Sequence, residues 1–307
     1  MSNFNVLILG SASATPTLHR NPTSQLVTIN QQLYLIDCGE GTQLQLRKHN
    51  VNFNRIHHIF ISHLHGDHYL GLIGLLQTMH LLGRENELTV FGPKNLKEII
   101  EVHFKYSKSY PSYSLNFVEL STESPSIIYE TDKLTVETII LTHRLPCTGF
   151  LFKEKAKPRR INPQAIAQYN IPIHALNKLK LGLDFIRSEH DIIKNKLLTD
   201  DSLPSYSYAY CSDTAYNEAI LSQIDRVSLL YHEATFMEID KDRAIKTKHS
   251  TAKEAATIAL KSKANYLIIG HFSNRYKHLD ELLNEAKTVF KKTELASEGI
   301  CFEVAKM

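Results

Sequence analysis

The sequence predicts an α/β fold in which two β-sheets pack on each other and helices cover their outer faces. Short apolar or alternating runs typical of strands recur along the whole chain, and segments with helical periodicity lie between them. Their order changes from hairpin-like strands at the start to β-α-β units towards the end, which favours packed sheets with external helices. Because no fixed-period repeat and no flexible linker interrupts the chain, we expect one domain over residues 1–307.

The predicted strands are short apolar or alternating runs. They are 5–9, 25–29, 33–37, 56–62, 88–91, 115–120, 134–142, 149–153, 207–211, 227–231, 266–269 and 300–304. The predicted helices repeat apolar residues every three or four positions. They are 41–48, 69–82, 96–106, 218–223, 251–261 and 279–291.

The overall composition is that of an ordinary globular protein. Of the 307 residues 43% are hydrophobic and 22% are charged, and 35 Lys and Arg against 32 Asp and Glu give a formal charge of +3. A charge this small gives no overall signal of a nucleic-acid-binding protein. The apolar runs are far shorter than the ~20 residues of a transmembrane helix, and the first residues do not resemble an export signal. We therefore expect no membrane partner.

The cysteines indicate a reducing compartment. They number four, are widely spaced and form no CxxC pair. This pattern argues against a disulfide scaffold and against a thiolate zinc site. A cytoplasmic location is therefore expected.

Residues 154–204 differ from the rest of the chain because they are polar, contain scattered prolines and show no sustained strand pattern. Between residues 153 and 196, ten Lys and Arg stand against four Asp and Glu, a local charge of +6 that leaves −3 for the remainder. Blocks of like charge are often interaction segments. The segment is predicted to be an inserted arm that either binds a polyanion or forms a solvated surface.

Five of the sixteen histidines fall within residues 57–68, and the motif His63-Leu64-His65-Gly66-Asp67-His68 follows an apolar run. In an extended segment alternate side chains project the same way, so His63 and His65 can meet one ion. A turn at the glycine can direct Asp67 and His68 towards a second. Imidazole and carboxylate together suit Zn²⁺ or neighbouring transition metals. The two histidines at 57 and 58 are expected to be surface or packing residues.

Three further candidate ligands, His143, Asp213 and His271, each follow a predicted strand. A single histidine at a strand end is more often a hydrogen-bonded structural residue than a ligand. Together, however, the three residues complete the set that the first motif leaves unfinished. Seven ligands with Asp213 as a bridge would hold two metals ~3.5 to 4 Å apart with open positions for water.

These residues resemble the metal-binding pattern of the metallo-β-lactamase superfamily, and within it the chain is most similar to the ribonuclease Z family, endonucleases that remove 3′ trailers from precursor tRNA. The narrower resemblance is carried by residues 39–43 (GEGTQ), 71–76 (GLIGLL), 232–236 (HEATF), 249–251 (HST) and 271–276 (HFSNRY). Three positions depart from the family pattern. Leu18 stands where a lysine is usual, Ile73 where a proline is common, and residues 170–174 (NIPIH) replace the Gly-Pro pair of the family's arm.

The resemblance implies a four-layered αβ/βα sandwich with residues 154–204 as a tRNA-binding arm. It implies one zinc held by His63, His65 and His143, and a second held by Asp67, His68 and His271. By the same resemblance, Asp213 bridges the two metals.

The resemblance also implies roles in catalysis and in substrate binding. Asp67 is the general base, His249 assists the leaving oxygen, and Glu233 orients His249. Arg275, Arg20 and Asn21 are the implied substrate-binding residues. From the residues alone, a helix-capping or surface position is the alternative for His249.

The implied cofactor is two Zn²⁺ per subunit, with Mn²⁺, Fe²⁺ or Co²⁺ as substitutes, and no nucleotide cofactor. The implied partners are precursor tRNA and, in a homodimer, a second copy of the chain. A small-molecule phosphodiesterase or sulfatase-like hydrolase on the same metal site is the alternative. A diiron reductase is disfavoured because such relatives carry Glu at the position of His65 and a flavin domain, and a non-catalytic RNA-binding module would need no such ligand set.

Overall fold

The computed structural model describes residues 4–307, and within them β-strands and helices alternate along the chain. The strands are β1 (Phe4–Gly10), β2 (Ser24–Ile29), β3 (Gln32–Ile36), β4 (Ile56–Phe60), β5 (Leu88–Gly92), β6 (Leu115–Glu119), β7 (Ile127–Glu130), β8 (Leu134–Leu141), β9 (Cys147–Glu154), β10 (Arg160–Ile161), β11 (Phe185–Ser188), β12 (Asp191–Ile193), β13 (Thr199–Asp200), β14 (Ser207–Cys211), β15 (Leu229–Glu233), β16 (Leu267–Gly270), β17 (Thr293–Leu295) and β18 (Cys301–Glu303). The α-helices are α1 (Thr42–Lys48), α2 (Gly66–Leu81), α3 (Leu96–Ser107), α4 (Pro163–Gln168), α5 (Leu176–Lys180), α6 (Asn195–Leu198), α7 (Lys241–Thr247), α8 (Ala252–Lys261) and α9 (Asp280–Val289).

Within residues 4–307, two seven-stranded sheets organise the fold. The first has the strand order β18-β1-β2-β3-β4-β5-β6, and the second has the order β17-β16-β15-β14-β9-β8-β7. Strands β3 to β6 run parallel, as do β14 to β17. Parallel strands end at the same edge of a sheet, so residues that follow them lie close together.

The core has three apolar layers that separate sheets and helices. Helices α1, α2 and α3 cover one face of the first sheet, and α8 and α9 cover one face of the second. Between the sheets lie aromatic rings, for example Phe60 against Phe150 and Phe152 at centroid distances of 5.4 Å. The predicted α/β sandwich with external helices is therefore confirmed.

The strand predictions differ from the structure by two residues or fewer at each end. Outside residues 154–204, strands β7 and β17 and helix α7 were not predicted, and residues 218–223 contain only a 3₁₀ turn at Glu218–Ile220. Helix α2 begins at Gly66 instead of residue 69, so Asp67 lies in the first turn of a helix, where a carboxylate is favoured by the helix dipole.

The close packing of α2 explains two glycines of the sequence motifs. A Cβ on Gly71 would lie 2.1 Å from the carbonyl oxygen of Gly39, and the amide of Gly71 donates to the carbonyl of Cys38 at 2.9 Å. A side chain at either position would push α2 away from the end of β3. The glycines therefore allow the helix that carries Asp67 and His68 to lie against the first sheet.

The chain divides into two compact units, each with its own apolar core. The first takes in the chain up to Tyr129, Val136–Phe152 and Ser207–Met307, and the second consists of Glu130–Thr135 and Lys153–Tyr206. The second unit contains the predicted arm. Its small elements, β10 paired with β13 and β11 with β12, surround an apolar cluster that includes Leu179 and Leu198. Elements of two to six residues are too short to give a periodic pattern in the sequence.

No helix among residues 4–307 is both long and apolar enough to cross a membrane.

Candidate metal centre

The candidate site lies where strands of both sheets end. His143 and Asp213 each stand two residues beyond a strand, β8 and β14, while His271 directly follows β16 and Glu233 is the last residue of β15. The histidine motif connects the end of β4 to the start of α2. The structure thus brings all seven residues of the predicted ligand set together.

The first donor group consists of His63, His65, His143 and Asp213. The Nδ1 atom of His65 lies 2.9 Å from Nε2 of His63 and 3.1 Å from Nε2 of His143. Atom Oδ2 of Asp213 lies 3.6 Å from Nε2 of His63 and 3.7 Å from Nε2 of His143. Ligands of a tetrahedral zinc with bonds of ~2.0 to 2.1 Å are separated by about 3.3 Å. The four donors therefore have the spacing of one metal site.

The second donor group consists of Asp67, His68 and His271 together with the other oxygen of Asp213. Atom Oδ1 of Asp213 lies 3.3 Å from Nε2 of His68 and 3.1 Å from Nε2 of His271. Atom Oδ2 of Asp67 lies 3.4 and 3.3 Å from the same two nitrogens. Each carboxylate oxygen of Asp213 therefore faces a different donor group.

Three of the histidines form hydrogen bonds through Nδ1, the ring nitrogen that points away from the donor groups, and this leaves Nε2 available for a cation. The Nδ1 atoms of His68, His143 and His271 donate to Asp37, to the carbonyl of Lys248 and to the hydroxyl of Thr235, each at 2.8 Å. In the neutral form of each ring, Nε2 is then left with a lone pair that a cation can accept.

Nε2 of His68 and Oδ1 of Asp213 are buried and, among the described residues, have no hydrogen-bond partner. A lone pair that faces a carboxylate oxygen is stabilised by a cation between them, so the residues fit a divalent metal.

The charge balance of the site points the same way. Burial of the His68 ring opposes its protonation, but the carboxylates of Asp213, Asp67 and Asp37 outweigh burial and raise the pKa of His68 well above its ordinary value. Burial likewise favours the neutral form of Asp213, yet the neighbouring His271 and His68 hold the pKa of Asp213 well below its usual range. The buried carboxylates thus create an excess of negative charge, which a metal ion would neutralise.

Asp37 is a site residue that the sequence analysis missed. It is fully buried and has a left-handed backbone conformation with φ of 52°. Its carboxylate accepts hydrogen bonds from His68 at 2.8 Å, from the amide and hydroxyl of Ser62 at 2.8 and 2.9 Å, and from the hydroxyl of Tyr210 at 2.7 Å. Asp37 therefore holds His68 in place and joins the two sheets. A carboxylate at the end of an apolar strand was the available signal, as for Asp213.

His249 is held by Glu233 and does not cap α8. The helix cap is Thr251, which forms a capping box with Glu254. The Nδ1 atom of His249 donates to Oε1 of Glu233 at 2.8 Å, and Glu233 also accepts from the amides of Thr214 and Thr235 at 3.0 Å. Burial opposes protonation of the His249 ring, but the Glu233 carboxylate outweighs burial and raises the pKa of His249 to about 9. The imidazole is thus fixed beside Asp213 and His271.

A cavity of about 340 Å³, here called the metal-side cavity, opens on these groups. Its lining includes His65, Asp67, Asp213, His249 and His271. Two arginines that the sequence analysis did not single out, Arg144 and Arg243, also line it. The cavity therefore combines the donor groups with positive charge suited to a phosphate.

Arg20, Asn21 and Arg275 do not line the metal-side cavity. Arg20 donates to the carbonyl of Tyr276 at 2.9 Å, and the side chain of Asn21 donates to Glu298 at 2.7 Å. Arg275 forms an ion pair with Asp240 at 2.6 Å. In this conformation Arg20 and Asn21 anchor the early loop, and Arg275 anchors the late loop.

Comparisons with known proteins agree with this geometry. Residues 4–157 match the family model described as Anti-Pycsar protein Apyc1, a range that ends before Asp213 and His271. Over its full length the chain is similar to proteins named Ribonuclease Z. The protein from Bacteroides thetaiotaomicron is 45% identical over 304 residues, or 99% of this chain and 96% of that protein. The protein from Bacteroides fragilis is 46% identical over 304 residues, with 99% and 100% coverage.

Solved structures show the same fold. The short form of human tRNase Z superposes with a TM-score of 0.70 at 24% identity, covering 98% of this chain and 99% of that chain. The metallo-β-lactamase fold protein YhfI from Bacillus subtilis has a TM-score of 0.69 at 18% identity, covering 98% and 99%. The fold is therefore the metallo-β-lactamase fold. Since identity near 45% extends over nearly the whole of this chain and of its relatives, the chain belongs to the ribonuclease Z family.

Proposed function

We propose that this protein is a metal-dependent endoribonuclease that removes the 3′ trailer from precursor tRNA and leaves a 3′-hydroxyl on the tRNA. The observation that carries the proposal is the placement of Asp213. Its two oxygens face two donor groups, and the His249–Glu233 pair lies beside them. Family membership supports RNA as the substrate.

The donor groups fit a pair of divalent metals, for which we propose Zn²⁺. Two such ions lower the pKa of a bound water and neutralise charge on a phosphodiester during its displacement. We propose that His63, His65 and His143 hold one ion, that Asp67, His68 and His271 hold the other, and that Asp213 bridges them. The imidazole-rich donor set supports this assignment, because Mg²⁺ and Ca²⁺ prefer oxygen ligands.

The remaining groups of the metal-side cavity are suited to proton transfer and phosphate binding. Asp67 lines the cavity and can accept a proton from the attacking water. His249, anchored at Nδ1 by Glu233, is placed to donate a proton to the leaving 3′ oxygen. Arg144 and Arg243 supply positive charge for the phosphate. Arg20, Asn21 and Arg275 stay proposed substrate contacts, which would require Asn21 and Arg275 to exchange their carboxylate partners for RNA.

The first experiment is cleavage of a 3′-extended precursor tRNA by the metal-loaded full chain, with and without a chelator. We expect a cut next to the discriminator base that leaves a 3′-hydroxyl and disappears when the metal is removed. The cut is mapped to the nucleotide by gel, and the metal content is measured by mass spectrometry. A preparation that hydrolyses a small phosphodiester but leaves the precursor intact would contradict the proposal and favour a small-molecule hydrolase.

We propose that the arm binds the body of the tRNA, as the charge of +6 over residues 153–196 supports. Several of its lysines are exposed and have no ion-pair partner among the described residues. They are Lys178, Lys180 and Lys196. Basic side chains that neutralise phosphates release counterions, so binding weakens as salt concentration rises.

Replacing these three arm lysines by glutamine is expected to weaken tRNA binding and to flatten its salt dependence. The slope of log K against log salt should fall by about two units, since each lost phosphate contact removes ~0.7 to 0.9. Filter binding at several salt concentrations measures the slope, and hydrolysis of bis(p-nitrophenyl) phosphate should stay unchanged. The matched control replaces exposed lysines of the first unit. They are Lys108, Lys263 and Lys291. If both triple variants weakened tRNA binding equally, the arm lysines would have no special role in binding, and the proposal for the arm would be wrong.

We further propose that the protein is a cytoplasmic homodimer. Exposed leucines on α1, along α2 and directly after α2 support a second copy as partner, because apolar patches on a surface are typical of interaction sites. They are Leu44, Leu70, Leu81 and Leu82. Light scattering should give a mass twice that of one chain, and a monomer at micromolar concentration would contradict the dimer.

A further inference from the structure

A second cavity, here called the Leu64 cavity, has a volume of about 670 Å³ and lies within the first unit. Its lining is distinct from that of the metal-side cavity, with which it shares no residue. A volume between ~300 and 1,000 Å³ is typical of sites for small organic groups. The catalytic scheme above makes no use of this cavity.

The Leu64 cavity adjoins the first donor group through the chain itself. Leu64 stands between His63 and His65, and Leu145 stands two residues after His143. Consecutive Cα atoms are ~3.8 Å apart, so one wall of the cavity is covalently attached to three candidate ligands. A group bound there would lie against the chain segment that carries these candidate ligands.

The lining combines apolar walls with a polar rim. The apolar residues are Leu64, Pro93, Leu120, Leu145 and Pro146. Such walls suit a flat ring with apolar faces.

The rim contains the carboxylates of Glu119 and Glu123 and the ammonium group of Lys94. Carboxylates accept hydrogen bonds from the N–H groups on the edge of a base. Lys94 has no ion-pair partner among the described residues, so it can pair with a phosphate. The two acidic groups would repel an isolated phosphate ion. A nucleotide is favoured over that ion, because the N–H groups of its base can donate to the carboxylates while Lys94 pairs with its phosphate.

We propose that the Leu64 cavity receives the base of the first trailer nucleotide, the one directly 3′ of the cut. This inference rests on the proposed function. In the proposed reaction the leaving 3′ oxygen belongs to the tRNA, and His249, which would protonate it, lines the metal-side cavity. The last tRNA nucleotide therefore occupies that side. The trailer nucleotide is attached to the same phosphate through its 5′ oxygen and needs a separate pocket, which the Leu64 cavity provides.

The test combines a change in the RNA with a change in the protein. A precursor tRNA that lacks only the first trailer base is compared with the intact precursor and with one that lacks the third trailer base. The protein variant is Thr122→Trp, which places a large ring in the cavity from a loop far in sequence from the donor groups. The matched control is Ser124→Trp, on the same loop but outside the lining.

Loss of the first base is expected to lower kcat/KM of the unmodified protein about tenfold, as for loss of one base contact, while loss of the third base has little effect. Thr122→Trp should lower kcat/KM on the intact precursor by a similar factor and add no further loss on the precursor without the first base. Ser124→Trp should match the unmodified protein. Hydrolysis of bis(p-nitrophenyl) phosphate should be equal in all three proteins.

The outcomes separate this inference from the proposed function. If the unmodified protein does not cut precursor tRNA at all, the proposed function fails. If it cuts the precursors with and without the first base equally well, the Leu64 cavity is not a base subsite, although the endonuclease assignment stands. If Thr122→Trp also loses activity on the small phosphodiester, the variant has disturbed the metal centre. The cleavage rates of the unmodified protein on precursors with and without the first trailer base then decide whether that base is bound.

Discussion

Replacement of Asp67 by alanine is expected to lower kcat for precursor-tRNA cleavage by about a thousandfold or more, while the Kd for tRNA changes little. The reason is that one side chain has two tasks. Its Oδ2 atom lies within 3.4 Å of the Nε2 atoms of His68 and His271, and the residue also lines the metal-side cavity. The variant would therefore lose a metal ligand and the proposed base together.

Three measurements check this result: single-turnover cleavage, tRNA binding by filter assay, and metal content by mass spectrometry. Asp225→Ala is the matched control, because Asp225 is an exposed aspartate outside the site, and it should retain activity within about twofold. A thermal melt shows whether Asp67→Ala remains folded. Equal losses of binding and cleavage in a folded variant would remove the catalytic role of Asp67.

Replacement of His249 by alanine is expected to lower precursor cleavage by about 10² to 10⁴ while leaving the metal content unchanged. His249 is anchored by Glu233 through Nδ1 and belongs to neither donor group defined above, although it also lies close enough to Asp213 and His271 to form a third possible ligand group with them. If it donates a proton to the leaving 3′ oxygen, the loss depends on the basicity of that oxygen. Hydrolysis of bis(p-nitrophenyl) phosphate, whose leaving group needs no proton, should therefore fall much less.

A Glu233→Gln variant extends this test. The amide can still occupy the position of the carboxylate but no longer supplies the negative charge that favours the protonated ring. We expect a smaller loss than for His249→Ala on the precursor and little change on the small phosphodiester. His103→Ala, at an exposed position of α3, is the control. If His249→Ala loses both activities equally, or loses metal, the residue acts on the metal centre instead of on the leaving group.

The residues that could be predicted from the sequence share a local signal. The histidine motif lies within six consecutive residues, and His143, Asp213 and His271 each follow an apolar run that predicts a strand. Polar residues at strand ends are expected to meet at one edge of a sheet, and the structure places them there. Predicting these side chains required the strand ends but not the order of the strands within the sheets.

Asp37 shows why other residues were missed. It follows the apolar strand β3 just as Asp213 follows β14, but it is not itself a member of either donor group. Its hydrogen-bond partners His68 and Tyr210 lie 31 and 173 positions away in the sequence. Arg144 and Arg243 face the metal-side cavity although nothing in their neighbourhood distinguishes them from solvated surface charges. Arg275 is the opposite case: the sequence analysis proposed it as a substrate contact, but its side chain forms an ion pair with Asp240, and this contact depends on two loops lying close together.

The sequence by itself determined the class of fold, the candidate metal ligands and the basic arm, because strand and helix periodicity, the clustered histidines and local charge are properties of short segments. The family resemblance implied which ligands share a metal and that Glu233 orients His249, but only the tertiary structure gives the distances behind both, since the two oxygens of Asp213 face different donor groups only after four distant strand ends converge. Tertiary structure alone decided the role of Asp37 and the two cavities, because these depend on residues that are remote along the chain.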